Sequence, residues 1–219
     1  MPYSPDLDRL LTEGARYRDE RDEYVIERHA AGEVRLPTGQ VVACDPLTDA
    51  HGALPFTVTA PTGSYPLYAW VAVLHRDGVE QQRRVAALQL AISGRPPVRY
   101  EMAITAGQDL PGLGEDSYFG FPVGAGTATL ADLTAVRALA AWDFERLDAT
   151  YIPAQMPVAP VPGGIYTAVT DETTGANVTT VASGWGDGLY PTFIGFAPSG
   201  AVSSFITDFM VVDARQSTL

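Results

Sequence analysis

The chain has 219 residues, 46% hydrophobic and 18% charged, a composition that excludes intrinsic disorder and is long enough for one β-rich domain with a real core. Its formal net charge is -12, from 26 acidic against 14 basic residues, which repels phosphate backbones and anionic headgroups and so argues against nucleic acid or a membrane as partner. Cys44 alone makes no internal disulfide, no apolar run nears the roughly 18 residues of a membrane span, and "MPYSPDLDRLL" lacks the basic-then-apolar order of a secretion signal. The expectation is a soluble, cytoplasmic protein.

A short N-terminal helix is predicted from "SPDLDRLLTEG", with Ser4 as N-cap, Pro5 at the first helical position, Leu7, Leu10 and Leu11 on one face and Gly14 as C-cap. "ARYRDERDEYVIERHAAG" then carries mixed charges at helical spacing and reads either as an exposed helix or as a charged lead into a strand, giving a helical or charged segment over 1–30. From Glu33 the punctuation changes. "PTG" at 37–39 and 61–63 and "PSG" at 198–200 are tight-turn signals, each followed by strand-like sequence, and together they predict β-hairpins. Further strands are expected in "RRVAALQLAIS", "VRYEMAIT", "GIYTAVT" and "NVTTVAS".

One helix is expected at about 131–147, with Asp132 as N-cap and Leu133, Val136, Leu139 and Ala140 as its apolar stripe. A proline-rich loop follows at 151–164. The fold class is therefore mainly β or α+β: an antiparallel sandwich or partly open barrel with two helices, as a single domain over 1–219.

Tests for chemistry mostly fail. His29, His51 and His75 have no ligand spacing, no HExxH or CxxC occurs, and neither a metal nor a cofactor is expected. Cys44 sits beside Asp45, which raises a thiol pKa, so it reads as a buried structural residue. No GxSxG and no phosphate-binding glycine loop is present, and Glu115-Asp116 would repel an anion from "LPGLGEDSYFGFPVGAGT". Carboxylates near turns remain: Asp45, Asp132, Asp187 and Asp208, each a turn residue or, if they converge, oxygen ligands for Mg²⁺ or Ca²⁺ or a general acid/base pair. "SGWGDGLYP" at 183–191 is first a hairpin, through Asp187-Gly188, and its Trp185, Asp187 and Tyr190 are the candidate ligand-binding residues.

Four blocks, "LPTGQVVACDPL", "PFTVTAPTGSYPLYAW", "FPVGAGTATLAD" and "SGWGDGLYPTFIGFAPSGAVSSFITDF", together resemble the bacterial domain-of-unknown-function family numbered 4241. The resemblance implies a soluble bacterial protein and carries no activity and no catalytic residue. In that family's third block an aspartate follows the valine, where this chain has Gly124, and Ala128 replaces the last glycine; an acidic site containing that aspartate would be incomplete here. The reading is a non-enzymatic β-rich domain that binds a partner protein or small ligand, with a homodimer permitted by exposed β edges. The alternative is a hydrolase or cyclase-like enzyme using Asp187 with Asp45 or Asp132.

Overall fold

A computed structural model describes residues 2–152 and 160–214. The chain opens with α1 (Leu7–Leu10), a single turn capped by Asp6, whose carboxylate accepts from the Arg9 amide. The predicted Ser4 cap is displaced because Asp6 stands at the helix entrance. Gly14 is not a cap either: at φ +80° it turns the chain, and its N–H donates to the Ile26 carbonyl. The charged segment that follows is strand, not helix: β1 (Arg16–Asp19) and β2 (Asp22–Leu36) form a hairpin. Its charges pair across strands, Arg16 with Glu23 and Asp22 with Arg76, while Tyr17, Tyr24 and Ile26 are buried.

Next come β3 (Val41–Cys44), β4 (Gly63–Arg76), β5 (Val79–Ala91), β6 (Arg99–Met102), β7 (Phe121–Val123) and β8 (Thr127–Asp132). The helix expected at 131–147 is two helices, α2 (Leu133–Ala140) and α3 (Phe144–Tyr151), because Asp143 begins a second one by accepting from the Arg146 amide. Its first expected residues, 131 and 132, belong to β8. Most of the proline-rich loop, residues 153–159, lies outside the described residues. The chain closes with β9 (Tyr166–Asp171), β10 (Ala176–Ala182), β11 (Gly188–Tyr190), β12 (Thr192–Phe196) and β13 (Val202–Asp208).

Seven strands form one antiparallel sheet in the order β1-β2-β4-β5-β13-β12-β6, four form a second, β3-β8-β10-β9, and β11 pairs with β7. The fold is mostly β, a curled antiparallel half-barrel with few helices, as the composition and turn spacing predict. Of the predicted hairpins only "PSG" joins paired neighbours, β12 and β13. The first "PTG" carries the chain from the large sheet to the small one, and Asp187-Gly188 leads from β10 to β11, which pairs elsewhere.

Alternate rows of the large sheet face opposite ways. Leu67, Leu90, Phe205 and Ile194 are register partners pointing toward the small sheet, and Phe205 stacks on Phe56 at 6.0 Å. Leu130, Ala128 and Val181 of the small sheet belong to the same core. The small sheet's other face, including Val42, Cys44 and Val178, packs on Leu133, Val136 and Leu139 of α2 and Tyr151 of α3. The next row of the large sheet, Tyr68, Gln89, Ile206 and Phe193, faces outward. There the N-terminal segment crosses it: the Tyr3 ring lies 6.2 Å from Phe193, and its hydroxyl donates to buried Asp208 at 2.8 Å. That crossing covers one end of the outer face and leaves the other open.

Candidate binding groove

The open part of the outer face is a groove of about 500 Å³, within the size range of small-molecule sites. Its floor is built from β4 and β5, where strand alternation puts Tyr68, Trp70 and Gln89 on one face while Leu67, Ala69 and Val71 fill the core on the other. One wall is α1, through Asp8 and Leu11; the other is the chain from Ile92 to Pro97 that leaves β5, with Tyr100 beyond it on β6. The walls meet where the Tyr100 hydroxyl donates to Asp8 Oδ1 at 2.6 Å. Burial, then the nearby Asp8 carboxylate, holds the Tyr100 hydroxyl above its ordinary pKa, so it stays a protonated donor.

The groove's polar atoms have a pronounced bias. Trp70 Nε1 donates to Gln89 Oε1 at 3.0 Å, which turns the amide nitrogen of Gln89 outward as a donor. Arg28, on β2, lies over two rings, its guanidinium carbon 5.2 Å from the centre of Tyr68 and 5.8 Å from that of Trp70. It has no carboxylate partner among the described residues, and neither has Arg95 in the far wall. Donors therefore outnumber acceptors on a surface that also offers tyrosine rings.

The predicted site residues are distributed differently. Asp132 is fully buried and saturated: it accepts from the Thr38 and Gly39 amides, the Thr38 hydroxyl and the Thr134 amide. It thereby fixes the "PTG" crossing between the sheets to the start of α2. Asp45 is its counterpart at the other end of the β3–β8 pair, accepting from the amides of Gly124, Ala125 and Leu47 and from the Thr127 hydroxyl. The two stand at opposite ends of β8, roughly 16 Å apart by strand rise.

Asp187 is exposed, on a loop that adjoins the one Asp45 holds: the Ser183 amide donates to the Gly126 carbonyl at 3.0 Å. Asp45 and Asp187 are thus brought onto neighbouring loops, with Asp132 far from both. Trp185 is half exposed and lies against Arg84, whose guanidinium carbon is 4.9 Å from the ring centre. Tyr190 is a packing residue: its hydroxyl donates to the Gly186 carbonyl and its ring meets Phe209 edge-on at 5.3 Å. It also lines a second, smaller cavity of about 140 Å³ with Phe56, Phe121 and Asp49, whose carboxyl is raised by desolvation and by the charge of Asp45. Cys44 is buried, and burial pushes its thiol up, so it is no thiolate nucleophile. Among the described residues no three His, Cys, Asp or Glu side chains lie together as a metal-ligand set, and no helix is long and apolar enough to cross a membrane.

The groove was not anticipated from the sequence. Tyr68 and Trp70, two apart in a strand, mark an aromatic face in "SYPLYAW", but Arg28 and Arg95 join them from other strands with no local pattern.

Two curled antiparallel sheets, helices on the small one and an open aromatic groove on the large one define a β-rich domain. Residues 34–207 match the family described as a protein of unknown function (DUF4241), and the chain belongs to that family. No curated protein and no solved structure matches it.

Proposed function

We propose that the protein is a non-enzymatic binding domain and that its ligand occupies the groove on the outer face of the large sheet. One observation carries this reading: unpartnered donors from β2, β5 and the 92–97 segment converge beside tyrosine rings in a cavity of small-molecule size. The carboxylates that acid/base work would draw on support it too, since Asp45 and Asp132 are each held by four donors of the fold's own framework.

The test is amide chemical-shift mapping with a library of small ring compounds. Binding should displace resonances of β4, β5 and residues 92–97, and Tyr68→Ala with Gln89→Ala should abolish the shifts. A library whose hits all map to the Asp49 cavity, or that gives no hit, overturns the proposal.

A further inference from the structure

We infer that the groove selects a ligand that joins a planar ring to an anionic group, a ring-bearing carboxylate or phosphate ester, with Arg28 and Arg95 as its charge contacts. This deepens the groove reading and rests on it. A protein of net charge -12 repels anions at long range, so an anion site on it must be made by local charge that nothing else has used. All 14 basic residues are arginine, and most of those in the sheets are committed: Arg16 to Glu23, Arg76 to Asp22, Arg83 to Glu27 and Glu80, Arg99 to Glu101. Of the arginines without a carboxylate, Arg28 and Arg95 are the two that line one cavity.

Their setting matters as much as their charge. The guanidinium of Arg28 lies over the rings of Tyr68 and Trp70 in a cation–π setting and makes no hydrogen bond to a carboxylate among the described residues, which leaves its N–H groups for a planar or tetrahedral oxyanion. Gln89 adds an N–H donor whose orientation Trp70 has already fixed. The single carboxylate in the lining, Asp8, has one oxygen taken by the Tyr100 hydroxyl. Tyr65, Tyr68 and Tyr100 are partly exposed around this cluster and supply ring contacts, so the complementary ligand presents acceptors and a π-face together.

The experiment compares 2-naphthoate, 2-naphthyl phosphate, 2-naphthalenemethanol and 2-naphthylmethylammonium by calorimetry at low and high salt, with shift mapping to locate each. One or both anions should bind at the groove about ten-fold or more tighter than the alcohol, since each charge-assisted hydrogen bond is strong. The stronger of the two identifies carboxylate or phosphate as the preferred head. Raised salt should narrow the gap, Arg28→Gln with Arg95→Gln should close it, and Arg28→Lys should leave it only in part, because a lysine keeps the charge and loses the planar fork. Far-ultraviolet circular dichroism checks that the variants fold; the wild-type comparison of anion with alcohol stands without them. If the alcohol or the amine binds the groove as tightly as the anions, anion selection is wrong while the groove remains a binding site. If no probe touches the groove, both readings fall.

Discussion

Aspartates hold this protein together at single positions, and Asp208 does so at a cost. It is fully buried, accepts from the Tyr3 hydroxyl and the Met210 amide, and desolvation nevertheless raises its carboxyl to about 6 from 3.8. A carboxyl raised in the folded state binds its proton more tightly there than in the unfolded chain. Its contribution to stability is therefore complete below about 3.8 and is lost as pH rises through about 6. Asp208→Asn should stabilise the protein at pH 7–8 by on the order of 1–3 kcal/mol and give no gain at pH 4, read as the difference between variant and wild-type denaturant midpoints. Asp132 predicts the opposite sign. Asp132→Ala strands the Thr38, Gly39 and Thr134 amides in the interior and should cost about 3–5 kcal/mol, measured by urea unfolding. Residue types at this scale were readable in the sequence: Cys44 as buried, and Asp132 as a cap. That Asp132 also gathers Thr38 and Gly39, more than ninety positions earlier, was not, because a single aspartate before a helix carries no trace of a distant donor.

At the scale of elements, β-branched and aromatic composition located β3, β4, β5, β6, β9, β10 and β13 but not β7, β8 or β12, and the other errors concern what joins the strands. "PTG" at 37–39 has hairpin chemistry, yet Gly39 at φ +73° lies so close to the Ala60 carbonyl oxygen that an added Cβ would sit 2.0 Å from it. A turn pressed against the segment that leads into β4 is a crossing between sheets. Gly39→Ala should therefore act on the whole fold, lowering the thermal midpoint far more than Gly78→Ala in the open β4–β5 turn, where a Cβ meets nothing within 4 Å. The charged hairpin of β1 and β2 is ambiguous in the sequence for a related reason: its opposite charges recur at helical spacing, but their partners lie across strands, and only the alternate burial of Tyr24 and Ile26 distinguishes the two cases. The break between α2 and α3 could be read from Asp143 alone, a good N-cap in the middle of a helical run.

Over the whole molecule, layers decide where a ligand can sit. The large sheet's inner face packs on the small sheet, the small sheet's other face packs on α2 and α3, and the large sheet's outer face beyond the N-terminal crossing is open as a groove. Fold class was legible because turn spacing and strand composition are local; the groove was not, since it exists only once strand order sets β2, β4 and β5 side by side. The same layering predicts uneven hydrogen exchange. Amides of β4 and β5, central and covered, should exchange last, with the edge strand β1 and the single turn α1 exchanging orders of magnitude sooner.

Strand order has one more consequence, for how the chain reaches this state. β13, latest of the described strands in sequence, lies between β5 and β12 and alone joins the block β1-β2-β4-β5 to the pair β12-β6. Until Val202–Asp208 is in place, two apolar edges stand open and Asp208 cannot meet Tyr3, its partner 205 positions away. Closing such long loops before any contact rewards them makes folding slow, in the millisecond-to-second range of non-local β topologies. During that interval the unpaired edge of β5 is where intermolecular pairing, and hence aggregation, would begin.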